Sequence, residues 1–182
     1  MDISAFFVDF QNQITSSQVD GGPALRNGGK HRFKGVEAEG TWRPEPAWTV
    51  AAHAGLSDAR YRDFDTLING AQTQLSGKWL VLTPKLRAGA GLIYAPRRGW
   101  HGSLTTTYTG SRFLDPRNAV RAGGYTVADA SLGYRFDTVT LTLSVANLTN
   151  RRDPTIASEL GESQFYRMSA RRVDAVLTVP FR

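Results

Sequence analysis

Val139-Thr-Leu-Thr-Leu-Ser-Val145 is the stretch on which the reading of this chain turns. Its odd positions, Val139, Leu141, Leu143 and Val145, are apolar, and its even positions, Thr140, Thr142 and Ser144, are polar. Side chains alternate across a β-strand, so this pattern gives one greasy face and one wet face. The closing stretch repeats it, with Val173, Ala175, Leu177, Val179 and Phe181 against Arg172, Asp174, Thr178 and Arg182. Upstream, Ala128, Ala130, Leu132, Tyr134 and Phe136 share a face opposite Asp129, Ser131 and Arg135. Strands of about ten residues are long for a soluble sheet and suit a tilted bilayer crossing.

The same alternation recurs toward the N-terminus. A first strand spans roughly Ser4 to Ile14, with Phe6, Val8 and Phe10 on one face and Phe7, Asp9 and Gln11 on the other. A second, about Phe33 to Arg43, sets Val36, Ala38, Gly40 and Trp42 against Glu37, Glu39, Thr41 and Arg43. A third, about Ala47 to Asp58, sets Trp48, Val50, Ala52, Ala54 and Leu56 against Thr49, His53 and Ser57. The fourth, about Pro84 to Ala95, has Leu86, Ala88, Ala90, Leu92 and Tyr94 opposite Lys85 and Arg87. The fifth, about Trp100 to Phe113, has Trp100, Leu104 and Tyr108 opposite His101, Ser103, Thr105, Thr107 and Thr109. With the three strands of the tail this makes about eight. Breakers form the short turns Pro44–Pro46, Pro96–Gly99 and Asp137–Thr138. The other connections, Thr15–Arg32, Ala59–Thr83, Leu114–Gly124 and Leu148–Tyr166, are longer loops, and one as long as Ala59–Thr83 is usually functional or disordered.

Two asymmetries select the environment. Short turns at one end and long loops at the other describe an outer-membrane barrel, with periplasmic turns and extracellular loops. The aromatics obey the same polarity. Trp42 and Trp48 flank the first short turn, Tyr94 and Trp100 the second; Tyr134 and Phe136 precede the third, and Phe181 ends the chain at that level. Each lies on the apolar face, as an interfacial girdle requires. A soluble sandwich would use such rings as core, but would have no reason to put every Trp of its strands beside a short turn. The polar face carries Glu37, Glu39, Arg43, His53, Lys85, Arg87, Asp129, Arg135, Arg172 and Asp174. Charges of that density suit a lumen, where they pair across strands or stay hydrated, and not a dry core. The fold class is therefore all-β: an antiparallel up-and-down transmembrane β-barrel segment of about eight strands.

The 182 residues carry a net charge of +6, and 41% are hydrophobic. The mean hydropathy is slightly negative, which on its face suggests a soluble protein, but alternation hides lipid-facing surface from an average. No apolar run approaches the roughly 20 residues of a membrane helix. Met1-Asp2-Ile3-Ser4 has neither the basic start nor the small-residue cleavage site of a signal peptide, so the chain is expected to be either a fragment or not exported. Cysteine is absent, which removes disulfides and thiolate metal sites.

The tail Gly124-Tyr-Thr-Val-Ala-Asp-Ala-Ser-Leu-Gly-Tyr-Arg-Phe136, followed by Leu143-Ser-Val-Ala-Asn-Leu-Thr-Asn150, resembles the C-terminal end of TonB-dependent outer-membrane receptors. Asn147 to Asn150 with Arg151-Arg152 is similar to that family's exit from the penultimate strand. Phe33-Lys-Gly-Val-Glu-Ala-Glu39 is similar to one of its Gly-Val-Glu strands. The resemblance covers essentially the whole chain, and the order and spacing of the motifs carry it. It implies a barrel of about 22 strands with an N-terminal plug in its lumen. It implies uptake of ferric siderophores, or of cobalamin, haem, other metals or sugars, energised through TonB. Against that pattern the chain lacks a plug, a TonB-contacting box and most of the earlier strands. It also ends in Arg182 where the family ends in an aromatic, and removing Arg182 is expected to raise insertion efficiency. The resemblance places the ligand contacts on the long loops and upper lumen wall, with the individual ligand-binding residues unknown. A free-standing eight-stranded barrel acting as adhesin or anchor, and a soluble β-sheet binding module, are the rival readings.

No cofactor, metal or catalytic constellation is expected. His31, His53 and His101 lack metal-ligand spacing. Gly29-Lys30 and Gly77-Lys78 lack the upstream glycine of a phosphate loop, and Gly89-Ala-Gly91 sits mid-strand, where glycine eases curvature. Asn147-Leu-Thr149 fits a glycosylation acceptor but reads better as a strand exit. The basic residues are dispersed. Arg62, Arg112, Arg117, Arg121, Arg151 and Arg152 lie near the long-loop end, where they could meet lipopolysaccharide or an anionic ligand. Nucleic acid is not expected as a partner, since no binding motif is present and the aromatics lie on the wrong face to stack bases.

Overall fold

A computed structural model describes residues 1–12, 14–19, 22–27, 29–68, 71–157 and 164–179, without the side chains of 15–19, 22–24, 26–27 and 67. The described residues contain strands only. In chain order these are β1 (Asp2–Phe10), β2 (Ile14–Val19), β3 (Gly22–Asn27), β4 (Lys30–Trp42), β5 (Trp48–Asp63), β6 (Asp65–Ile68), β7 (Ala71–Gln74) and β8 (Leu86–Tyr94). Then follow β9 (Gly99–Thr109), β10 (Arg112–Phe113), β11 (Arg121–Ala122), β12 (Tyr125–Arg135), β13 (Thr140–Ala146), β14 (Pro154–Ala157), β15 (Phe165–Arg167) and β16 (Arg172–Thr178).

Eight of them form one antiparallel sheet in the order β1-β4-β5-β8-β9-β12-β13-β16, which is chain order once the small hairpins are removed. This is the expected up-and-down meander. Among the described residues β1 and β16 each have one paired side, so the sheet is open and not a closed eight-stranded barrel. An open sheet does not favour the free-standing barrel.

Register carries the alternation through the middle of the sheet from β4 to β16, whereas in β1 Val8 and Phe10 sit opposite Phe33 and His31 on the polar side and Phe7 and Asp9 opposite Lys34 and Arg32 on the apolar side. Val36 sits opposite Leu56, Leu56 opposite Leu86, Leu92 opposite Leu104, Leu132 opposite Leu143, and Leu143 opposite Ala175. On the other face Glu39 sits opposite His53, Gly89 opposite Thr107, Thr105 opposite Asp129, and Ser144 opposite Asp174. Directly opposed residues share a face, so the two faces are separate in composition. The apolar face is open to its surroundings: Trp100 is 60% exposed and Leu132 57%. A water-soluble sheet would bury such a face; this one presents it to lipid.

The girdle is assembled in pairs. Trp48 lies 4.5 Å from Tyr94, Trp100 meets Tyr134 edge-on at 5.3 Å, and Phe136 lies 4.6 Å from Tyr134, all between ring centroids. Phe181 and Arg182 lie outside the described residues.

Several boundaries differ from the sequence expectation, each for a local reason. The first strand stops at Phe10 because Asn12 takes a left-handed backbone, φ 55°, and Ile14 begins a new strand. The fifth expected strand stops at Thr109: Gly110 donates to the Leu86 carbonyl at 2.8 Å, and Arg112–Phe113 pairs with β11 instead. The third runs past Asp58 to Asp63, because Ala59 and Tyr61 still pair with Phe33 and His31. The long connections, read as loops, contain strands as well. Each carries its own two-stranded ribbon: β2–β3, β6–β7, β10–β11 and β14–β15.

Candidate functional site at the long-loop end

Among the described residues the buried hydrophobic cluster lies at the long-loop end, where the 59–83 excursion packs against the ends of β4 and β5. Leu75 is fully buried, and with Ala59, Tyr61, Ile68 and Leu80 it forms a cluster against Phe33 and Phe64. Ala59, Tyr61 and Phe33 stand on the polar, lumen-facing side of the sheet by register. The 59–83 excursion therefore folds onto the inner wall at the mouth. His31 is 4% exposed here, edge-on to Tyr61 at 5.1 Å and to Phe64 at 6.2 Å. Burial pushes the Tyr61 hydroxyl up to about 12, so the ring stays neutral at physiological pH. The returning chain is pinned by Gly77 N–H to the Tyr61 carbonyl at 2.8 Å and Leu80 N–H to the Ala59 carbonyl at 3.0 Å.

Neighbouring loops are stitched to each other. The Asn118 side chain brackets the Trp79 backbone, accepting from its N–H at 2.7 Å and donating to its carbonyl at 3.0 Å. Leu82 N–H donates to the Phe113 carbonyl at 2.8 Å. Arg112, 3% exposed, donates to the Gly123 carbonyl at 3.3 Å and to the Pro154 carbonyl at 2.6 Å, which joins the third long loop to the fourth. Its guanidinium also lies 4.8 Å from the Tyr125 ring centroid. Arg151 approaches that ring at 5.9 Å while donating two bonds, of 2.8 and 3.0 Å, to Asp153. The Asp153 carboxylate raises the Arg151 pKa further above its ordinary value, so this cation is permanent.

Asn147 holds the fourth loop to the sheet. It is 6% exposed with φ 52°, a left-handed turn that Asn tolerates. Its side chain donates to the carbonyls of Arg151 and Ser169, both at 2.8 Å, and accepts the Arg151 N–H at 2.9 Å. Its own N–H donates to Asp129 at 2.6 Å. The Asn147–Asn150 motif is thus a strand exit tied down by its first residue, and the buried amide is unsuited to glycosylation.

The six candidate arginines do not form one patch. Arg112 is a buried clasp and Arg151 is held by Asp153. Arg121 bonds the Ser111 hydroxyl through Nε at 3.1 Å, while Arg62, Arg117 and Arg152 are exposed. The histidines stay apart: His53 lies over Gly89, and His101 contacts the Thr142 hydroxyl at 3.1 Å. Among the described residues no three metal-ligating side chains gather. Gly29 and Gly77 have φ of 71° and 80°, so both serve left-handed turns. Gly89 has a steric role beyond curvature, since a Cβ there would lie 2.5 Å from the His53 ring. On the lumen face, Arg172 pairs with Asp174 on its own strand at 2.8 Å, and Arg135 donates to the Pro96 carbonyl at 2.5 Å. These charges are satisfied within a strand or by backbone, rather than across strands. Lys85 leaves the lumen face. It precedes β8, where alternation does not apply, and its ammonium lies over Trp79.

A family model described as TonB dependent receptor-like, beta-barrel matches residues 1–148. The pesticin receptor of Yersinia enterocolitica is 24% identical over 185 residues, covering 97% of this chain and 26% of that protein. The ferric yersiniabactin uptake receptor of Yersinia pestis superposes with a TM-score of 0.75 at 23% identity, covering 99% of this chain and 27% of that one. The ferric-catecholate import receptor of E. coli K12 in its closed form gives 0.68 at 22% identity, over 98% of this chain and 25% of that one. At these identities the structural likeness speaks for the fold alone, and the chain spans about a quarter of the length of these relatives.

Proposed function

Since the chain belongs to the TonB-dependent receptor β-barrel family, we propose that it forms the C-terminal part of the wall of a receptor that imports a ferric siderophore or similarly scarce ligand. The chain is an outer-membrane β-barrel segment of the Gram-negative type, with lipid on its apolar face and the lumen on its polar face. The plug, the remaining strands and the contact with TonB come from other parts of the receptor, and the role is transport, not catalysis. Lipopolysaccharide surrounds the wall at the long-loop end.

One observation carries the reading. The long connections are built ribbons, and those at 59–83, 114–124 and 148–166 are fastened to one another at the lumen mouth. Loops that served only to connect strands would not need a core of their own. A framed mouth with exposed cations suits an anionic chelate, which it would attract and orient before passage.

Two measurements test this. In the outer-membrane fraction, an antibody to the 59–83 loop should detect a product several times the 20.0 kDa of this chain. A membrane band at 20.0 kDa would end the proposal of a larger receptor. In the whole receptor, Arg62, Arg117, Arg121 and Arg152 are replaced together by Gln, leaving the structural Arg112 and Arg151 in place. Uptake of radiolabelled iron as its ferric chelate should fall severalfold; unchanged binding and uptake would remove these cations from the vestibule.

A further inference from the structure

Arg112 is a buried charge without a counter-charge. It is 3% exposed, and its bonds go to the neutral carbonyls of Gly123 and Pro154. Among the described residues no carboxylate pairs with it, nor with Arg121 or Lys85. A guanidinium taken out of water without an anion is costly, and carbonyl dipoles offset only part of that cost.

All three cations line one cavity of about 130 Å³, between the return of the 59–83 excursion and the β10–β11 ribbon. Trp79 and Phe113 are its apolar walls, and Ser111 adds a hydroxyl. No carboxylate borders it, so the lining carries three positive charges and no negative one. The Ser111 oxygen accepts from Arg121 Nε at 3.1 Å and from Nη2 of the same side chain. Its proton is therefore left to donate, and among the described residues no acceptor takes it.

The cavity is held in shape by the two loops that enclose it. Asn118 brackets the Trp79 backbone, and Leu82 N–H donates to the Phe113 carbonyl at 2.8 Å. Leu82 has φ 58°, a left-handed backbone that is an outlier for a bulky side chain. Such strain persists only where the surroundings over-determine it, and it gathers at ligand clamps. The space equals that of about four waters, at roughly 30 Å³ each, which suits a tetrahedral oxyanion. A drug-sized or larger ligand needs about 300 Å³ or more, so a ferric chelate does not fit.

We propose that Lys85, Ser111, Arg112 and Arg121 bind a free inorganic oxyanion of the phosphate or sulfate type, which fastens the second long loop to the third. The anion supplies the counter-charge that Arg112 lacks. Arg112 keeps N–H donors beyond the two given to carbonyls, and the Ser111 proton completes the set. The site holds the loops together and does not depend on what the receptor imports.

The test uses the whole receptor in detergent, freed of lipopolysaccharide and kept in chloride buffer. Inorganic phosphate is titrated in at constant ionic strength, and amide exchange is read at 79–85 and 111–121. Exchange should slow saturably. At 100 times the dissociation constant, opening that releases the anion should be suppressed about 100-fold. Sulfate should act in the same way, and added chloride should not. Arg121→Gln removes a charged donor and should shift the phosphate midpoint about tenfold or more. An unchanged midpoint in Arg121→Gln would overturn the site, as would exchange that does not respond to phosphate or responds equally to chloride. Slowing by a phosphorylated glycolipid but not by inorganic phosphate would also overturn it. If Arg121→Gln does not reach the folded form, Lys85→Gln and the ranking of anions on wild-type receptor decide. None of these measurements reads uptake, so failure of the transport proposal would leave the result standing.

Discussion

The two ends of this sheet are held by different means. At the turn end the chain reverses in a few residues, with Trp48 N–H on the Glu45 carbonyl at 3.0 Å and Phe136 N–H on the Val139 carbonyl at 2.8 Å. Beyond such bonds, that end is fixed by aromatic pairs at a lipid boundary, and Trp42 remains 66% exposed. At the loop end the protein supplies its own interior: a buried leucine, a brace on Asn147, and side chains that bracket the backbone of neighbouring loops. The membrane defines one end, and side-chain bonding defines the other. Substitutions at the loop end should consequently cost stability locally and steeply, and those at the turn end little.

The largest effect is expected at Leu75. A charge in place of the most buried side chain removes the loop core; Leu75→Asp should cost about 4 kcal/mol or more in that unit. Trypsin should then cut within 59–83 while the barrel keeps its folded electrophoretic mobility. Loss of the whole barrel would mean that the two ends are not independent. Next comes Asn147→Ala, which removes the side-chain partner of the Arg151 and Ser169 carbonyls and of the Arg151 N–H; about 3 kcal/mol is expected. It should appear as a lower denaturant midpoint of the receptor in micelles and faster amide exchange at 148–153. At the turn end, Trp100→Ala loses its contact with Tyr134 and should cost about 1 kcal/mol; a cost equal to that of Asn147→Ala would erase the contrast. Smallest is Arg98→Ala. Its 3.0 Å pair with Asp137 joins two short turns, but both partners are about three-quarters exposed, so the midpoint should not move.

The parts legible in sequence are those governed by period. Alternation through Val139–Val145 and Trp48–Leu56 fixed strand identity and face, and the prolines marked the short turns. Both depend on neighbours in the chain. What stayed hidden depends on contacts between distant residues. The bracket of Asn118 on Trp79 spans 39 residues, and the reach of Arg112 to Pro154 spans 42. Nothing local distinguishes those side chains from any polar loop residue. Two signals were available in part. Asn12, Asn118, Asn147 and Asn150 all have positive φ, a conformation Asn adopts more readily than most residues. An Asn that begins or ends a strand was therefore a sign of a designed corner. The run of Tyr61, Phe64, Leu67, Ile68, Leu75 and Leu80 within a supposed loop was richer in large apolar residues than a solvated connection needs. The faces of strands also misled at their ends: Lys85, one residue before β8, escaped the alternation that placed Arg87 correctly.

The bracket at Asn118 and the reach of Arg112 have a consequence for motion. Three surface connections joined in series cannot open one at a time without breaking bonds to their neighbours. Their amides should lose protection together, as one cooperative unit with a single opening free energy. A ligand that tightens any one of them would then slow exchange in all three, including stretches it never touches.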